Sequence, residues 1–442
     1  MFIYIAILQR NHWSVQKNMI RLLKNKEFRN AGWLIGGRII QMSLSLIVGI
    51  LTARYLGPSN YGLINYGAAY VAFFTSFCTL GINSIIIKNF VDKPTEQGET
   101  IGSTLVLRII ASILSSIMII TVVNIIDYGE KDTILVTSLC SIALVFQVFD
   151  TINYWFQYRY QSKITSIATL LAYIIVSIYK IILLFTNKSI IWFALASSID
   201  YIVIALFLYF SYKYNCGPKL TFSKSKAKEL LGSSYHYIIS GMMVAIYNQT
   251  DKLMLKQMLG QVDVGFYSAA STICNMWVFV LTAIIDSIVP TIMSLYEKNQ
   301  EAFERKNKQL YSIVFYVSVS VSIFFLLFGK NIILILYGDE YILATNPLKI
   351  ITWYTAFSYL GVARNAWIVC ENKQKYLKYI YLGAVIINII LNFVLIPILG
   401  ASGAALASLI TQIFTSIILP CFIRELQPNV KLMIDAILLR YK

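Results

Sequence analysis

Only two histidines, His12 and His236, occur in the 442 residues, and neither belongs to an HExxH pair. GxSxG and glycine-rich phosphate loops are missing too, so hydrolytic and nucleotide chemistry lack a motif. The six cysteines form no CxxC or metal-ligand spacing, which excludes a disulfide framework or zinc site as the basis of the fold. Charge is also scarce, at 13% of residues, and acidic residues are scarcer than basic ones, 21 against 37. With 58% hydrophobic residues and a mean hydropathy of +0.68, the composition is that of a chain whose solvent is lipid. The opening MFIYIAIL has no basic segment before it and no small-residue cleavage site soon after, so it is not read as a secretory signal. Met19, followed by Ile20-Arg21-Leu22-Leu23-Lys24, is the more ordinary start, and residues 1–18 are expected to be a dispensable extension.

What the sequence has in abundance is long apolar runs. A hydrocarbon core about 30 Å thick takes roughly 20 apolar residues per helix. Runs of that kind lie near residues 31–54, 64–87, 101–125, 133–156, 166–186, 190–210, 233–256, 265–295, 310–337, 346–370, 377–398 and 402–423. Too few turn residues separate them for a β-barrel. The expected fold is therefore an all-α integral membrane protein of about 12 transmembrane helices. The net charge of +16 is topological rather than a sign of nucleic acid: 26 of the 37 Lys and Arg residues lie on or beside the segments sharing the N-terminus's side, and 6 on the other. Both termini are expected to be cytoplasmic.

The longest polar connection, 211–231, divides the spans six and six. The expected organisation is a cytoplasmic segment 1–30, a six-helix lobe 31–210, a cytoplasmic linker 211–231, a second six-helix lobe 232–424 and a cytoplasmic tail 425–442. A repeat supports two related halves: Leu56-Gly57-Pro58-Ser59-Asn60-Tyr61-Gly62 after span one and Leu259-Gly260-Gln261-Val262-Asp263-Val264-Gly265 after span seven are both LG-x4-G. Repeats in the same orientation imply a pseudo-twofold axis along the membrane normal, with a cavity between the halves.

At these residues the chain resembles the Wzx-type oligosaccharide flippases, in the superfamily that also holds lipid II flippases and multidrug and toxin exporters. The resemblance runs along nearly the whole chain. It is carried by Ala53-Arg54-Tyr55-Leu56-Gly57 with Tyr61-Gly62, by Asp251-Lys252-Leu253-Met254-Leu255 running into Gly265-Phe266-Tyr267-Ser268-Ala269-Ala270, and by Asn388 to Asn392 with Ile396-Pro397-Ile398-Leu399-Gly400 and Gly403-Ala404-Ala405. It implies two six-helix lobes rocking around a central cavity, and a polyprenyl-diphosphate-linked oligosaccharide turned from the cytoplasmic to the outer leaflet for O-antigen-like surface polysaccharide. It also implies membrane lipids, a polysaccharide polymerase and chain-length machinery as partners, no nucleic acid, no bound cofactor, and coupling to H+ or Na+. The alternatives are a multidrug exporter of the same superfamily and, less well supplied with residues, a membrane polymerase or glycosyltransferase.

Charges inside the spans cost about 2.5–3.5 kcal/mol each on insertion scales, so each needs a reason. Arg38, Gln41, Ser45 and Thr52, at offsets of 3, 7 and 14, fall within roughly 60° of one face of span one. That stripe is expected to face the cavity, with Arg38 pairing its planar guanidinium with diphosphate oxygens. Arg108, Lys180 and Arg364 are expected to add positive charge there, snorkelling to the surface being the alternative for each. Asn388 and Asn392, four apart, share a face suited to sugar hydroxyls or to interhelical bonds. His236, Ser240, Tyr247 and Asp251 form a second stripe, in which Asp251 and then His236 are the first candidates for taking up the coupling ion, with Asp286 and Asp200 as further ones. Asp200, deep in span six, must be paired or protonated, and Asp286, close to Pro290, marks a kink in span eight.

Overall fold

The computed structural model describes residues 26–440, and the side chains of all of these except 26–35, Arg38 and Ser84. The extension before Met19 lies outside the described residues. Helix α1 (Lys26–Cys78) is unbroken except at Gly57, whose φ of 68° ends one leg, and Pro58 begins the next. Proline suits a first turn, where no intrahelical N–H bond is lost. Then follow α2 (Gln97–Ile126), α3 (Lys131–Gln147), α4 (Thr151–Tyr158), α5 (Ser162–Phe185), α6 (Ile190–Tyr214), α7 (Lys224–Met258), α8 (Gln261–Tyr296), α9 (Gln300–Tyr337), α10 (Thr345–Cys370), α11 (Leu377–Leu399) and α12 (Ala401–Ile413). A last helix, α13 (Gln427–Ile437), follows. Nine helical stretches among the described residues are long and apolar enough to cross a bilayer. One of these folds at Gly57 into two crossings, α3 and α4 make one together, and the long but more polar α7 and α10 complete about twelve.

Two boundaries differ from the apolar runs. The second leg of α1 occupies 58–78, because Leu80 and Gly81 adopt left-handed φ angles of 51° and 60° and turn the chain. Gly81 is required there: a Cβ would sit 2.7 Å from the Cβ of Tyr237. The polar connection shortens as well, since Ser223 caps α7 by accepting a hydrogen bond from the Lys226 N–H. The tail is not simply polar: Val430, Leu432, Met433 and Ala436 bury one side of α13 against α9 and α10, with Leu426 buried just before it.

The apolar core explains how the two halves sit. Near the linker there are two separate clusters, one around Ile82, Phe90, Trp155, Phe156 and Leu230, the other around Ile292, Phe303, Tyr311, Trp367 and Met433. At the far end a single cluster joins Ala53, Leu63, Tyr66 and Val136 to Leu255, Val264, Ala270, Tyr341 and Ala404. The halves are fused at the far end and part toward the linker.

The repeated motif makes that seal. A Cβ on Gly62 would meet the Gln261 carbonyl oxygen at 1.8 Å, and one on Gly265 would meet that of Pro58 at 2.1 Å. Gln261 and Pro58 occupy the same position in the two copies of the motif, so each copy receives the other's glycine. Only glycine allows backbones this close.

Candidate functional site

Helix α7 begins on one half and ends in the other. At its start Lys226, 2% exposed, pairs with Glu96 at 2.9 Å and Glu229 at 3.4 Å, while Lys93 reaches Glu229 at 3.0 Å. These hydrogen bonds hold the Glu229 carboxyl below the ordinary carboxylate range, that of Lys93 contributing most. Toward its other end α7 carries Asp251, 3% exposed, into a meeting of four helices. Asn388 and Asn392 of α11, one turn apart, donate to Asp251 Oδ1 at 3.2 and 2.7 Å. Tyr267 of α8 and Ser408 of α12 donate their hydroxyls to Oδ2 at 2.5 Å each. The helices approach this closely because α8 presents Ser268, Ala269 and Ala270 and α12 presents Gly403, Ala404, Ala405 and Ala407. Four donors match the acceptor sites of a carboxylate.

Three cavities lie in a row. One of about 320 Å³ in the second half is lined by Tyr247, Asn248, Asp251, Lys252, Asn275 and Tyr354, among others. One of about 320 Å³ in the first half is lined by Gln41, Asp150, Asn153, Tyr173, Asp200 and Tyr201, among others. Between them a cavity of about 650 Å³ takes Gln41, Ser45, Tyr173 and Tyr201 from one half and Thr272, Asn275, Met276 and Phe279 from the other. Gln41, Tyr173 and Tyr201 link the first to the middle, and Asn275 links the middle to the last.

Several residues singled out in the sequence fall on these walls: Gln41 and Ser45 on the middle cavity, Asp200 on the first and Asp251 on the last. The Arg38 side chain is outside the described residues; its backbone lies on the same leg of α1, three residues before Gln41. Arg108 and Arg364 line none of the three. Arg108, 2% exposed, donates to Thr151 Oγ1 at 2.7 Å and the Gln147 carbonyl at 3.5 Å, where residues 148–150 tighten to a 3-10 turn between α3 and α4, and it lies beside Asp150. Arg364, 4% exposed, donates to the carbonyls of Thr415 at 3.2 Å and Ser416 at 3.5 Å within the π turn 414–418 that follows α12. Irregular turns free carbonyls from the helical ladder, and a buried guanidinium satisfies them. Neither arginine snorkels, and neither supplies charge to a cavity wall. Lys180 faces Asp200 between α5 and α6, which gives Asp200 a cationic neighbour.

Asn388 turns to Asp251 rather than to a cavity. His236 is exposed, its ring 3.7 Å from that of Tyr235, fifteen residues or about 22 Å of helix from Asp251. Asp286 is exposed on α8, and that helix continues through Pro290.

A second charged group lies at the sealed end, where sequence reasoning had placed nothing. Lys256 of α7 reaches Asp127 at 3.2 Å and Glu130 at 2.7 Å, at the turn between α2 and α3. Gln257 donates to Asp127 at 2.8 Å and to the Tyr66 hydroxyl at 2.7 Å, and Tyr66 donates to Asp127 at 2.8 Å. Asp127 is 3% exposed, so the Lys256–Asp127 pair of this latch between the halves is shielded from water, while Glu130 lies at its open edge.

Comparison with known proteins bears on most of the chain. A family model described as polysaccharide biosynthesis protein matches residues 51–346. The capsular polysaccharide biosynthesis protein CapF of Staphylococcus aureus is 21% identical over 390 residues, 87% of this chain and 96% of that protein. Among solved structures, the lipid II flippase MurJ in an inward closed conformation has a TM-score of 0.68 at 15% identity, over 92% of this chain and 90% of that one. An inward-facing multidrug resistance MATE family transporter has a TM-score of 0.65 at 15% identity, over 89% of this chain and 94% of that one. These two likenesses show the shared fold.

Proposed function

The chain belongs to the polysaccharide biosynthesis protein family, and from that membership we propose that it turns polyprenyl-diphosphate-linked oligosaccharide repeat units from the cytoplasmic to the outer leaflet of the cytoplasmic membrane by alternating access. The observation that carries this reading is the cavity between halves that are joined at one end only, continued by a cavity in each half. A diphosphate and several sugars cannot cross hydrocarbon unaided, because stripping them of water is very costly. The middle cavity offers Gln41, Ser45, Tyr173, Tyr201 and Asn275 to hydroxyls and Met276 and Phe279 to sugar faces, while the polyprenyl chain stays in lipid. Arg38, three residues before Gln41 on the same leg of α1, is the residue we assign to the diphosphate. Asp251 takes up the proton or cation that drives the cycle, held by residues from α8, α11 and α12 so that movement of any of them alters its surroundings.

Asp150 and Asp200 favour the alternative, an exporter of cationic drugs, since both line the first-half cavity. Arg108 beside the first and Lys180 beside the second offset that charge. Deleting the gene separates the two readings. Lipid-linked oligosaccharide is expected to accumulate in the cytoplasmic leaflet and surface polysaccharide to be lost, with sensitivity to cationic drugs unchanged. Altered drug sensitivity with normal surface polysaccharide would favour the exporter.

In this reading the linker end is cytoplasmic, because the basic residues concentrate there. Cys216 and Cys421, both exposed, are then expected to resist membrane-impermeant thiol reagents in intact cells, while a Tyr128→Cys variant at the far end reacts. Labelling of the two native cysteines at the rate of position 128 would reverse the orientation.

A further inference from the structure

We infer that Lys252 is the anion receptor of the interior, seating an anionic oxygen group of the cargo, a phosphate or a sugar carboxylate, at the deep end of the second-half cavity. This rests on the flippase reading and adds to it the group that fixes the charged part of the cargo. Lys252 follows Asp251 on α7 and lines the same cavity. Of the residues lining the three linked cavities it is the one lysine or arginine among those described.

The adjacent aspartate would ordinarily neutralise it, but here the carboxylate is committed elsewhere. Both oxygens of Asp251 are taken by Tyr267, Ser408, Asn388 and Asn392, on three other helices. Among the described residues no carboxylate lies within ion-pair distance of Lys252, whereas Lys226, Lys256 and Lys308 each have one. An ammonium left without a partner inside a membrane protein is costly, and a water-filled cavity with an anionic ligand removes the cost.

Its neighbours suit such a ligand. Asn248, four residues earlier and so on the same face of α7, and Asn275 of α8 line the cavity with it, adding neutral hydrogen-bonding groups that carry no competing charge. One turn beyond stands Lys256, whose latch closes the far end. An anion on Lys252 therefore rests at the innermost point of the entry path and nearest the exit.

The test uses the purified full chain and two pairs of probes: farnesyl diphosphate against farnesol, and a glucuronate-bearing oligosaccharide against its neutral counterpart. The wild type is expected to prefer the charged member of at least one pair about tenfold, the scale of a hydrogen bond to a charged group. With the diphosphate pair measured in an Arg38→Gln background, so that only the inner group is read, Lys252→Gln and Lys252→Met are expected to lose that preference at unchanged affinity for the neutral member, and Lys252→Arg to keep most of it. Preference for farnesyl diphosphate identifies a phosphate as the anion, and preference for glucuronate a sugar carboxylate. A preference that survives in Lys252→Gln overturns the inference, as does a wild type indifferent to both pairs. Flipping of lipid-linked oligosaccharide in vesicles is scored separately: a wild type that binds the anion through Lys252 but does not flip overturns the functional reading alone.

Discussion

Asp251→Asn is expected to slow flipping about a hundredfold and to flatten its pH dependence while leaving protein abundance unchanged, a loss on the scale of the coupling energies between linked sites. The amide fills the same volume and still accepts a hydrogen bond from Asn392. The hydroxyls of Tyr267 and Ser408 can turn and accept instead of donating, so the buried cluster stays satisfied. What disappears is the capacity to hold charge at the point where α7, α8, α11 and α12 meet. Asp251→Leu makes the contrast: it leaves buried donors facing an apolar group, at about 1–3 kcal/mol for each unsatisfied one, and is expected to reduce the amount of folded protein. Flipping measured in vesicles across pH, at matched protein, is the check. Wild-type rate and pH profile in the asparagine variant would remove Asp251 from coupling.

Lys256→Met is expected to open the far end. With the lysine gone, Asp127 stays buried without its cation, and breaking a buried pair in this way costs about 3–5 kcal/mol. That cost falls on the sealed state, because parting the halves returns Asp127 to water. A bias of this size moves a two-state equilibrium by two orders of magnitude or more. Spin labels at Asn60 and Val262, exposed on opposite halves of the far end, report it: one short distance in the wild type and a longer population in the variant. Asp127→Asn combined with Lys256→Met removes both charges and is expected to restore much of the short population. An unchanged distribution in Lys256→Met would show that the glycine contacts alone hold the seal. Acid acts in the same direction as the variant. The hydrogen bond from Lys256, with that of Thr133, holds the Glu130 carboxyl below the ordinary carboxylate range. Its contribution is complete above that range and is lost as pH falls through the lowered value. The share is small, since that side chain is half exposed.

Spans and the two-part architecture were legible because hydropathy and the LG-x4-G repeat each report on one physical demand, lipid in the first case and backbone closeness in the second. Asn388 and Asn392 were legible as a pair from their spacing. Their partner was not, since a stripe drawn on α7 shows which residues share a face and not which bundle that face meets. His236 and Asp251 lie on one stripe, yet α7 crosses from one half to the other between them. Arg108 and Arg364 were misplaced for a different reason. The 3-10 turn at 148–150 lies in sequence with no proline or glycine to mark it. The π turn at 414–418 is followed by Pro420, which cannot donate to the Ser416 carbonyl four residues before it; the proline shows that a carbonyl is freed but not that a guanidinium 52 residues away reaches it. Lys256 looked like a residue at a span end, because its acids belong to a turn some 130 residues earlier.

The exchange of glycines between Gly62 and Gly265 also sets an order of events during synthesis. The second partner is made about 200 residues after the first, which at 5–20 residues per second is roughly 10–40 s of translation. During that interval the rest of the first six crossings is made, and the close-packing surface around Gly62 is without its partner. Those crossings have a core of their own around Ile82, Trp155 and Phe156 to hold them meanwhile. Closure of the far end thus waits for the second half, and the newborn chain passes through an unsealed form before the two copies of the motif can meet.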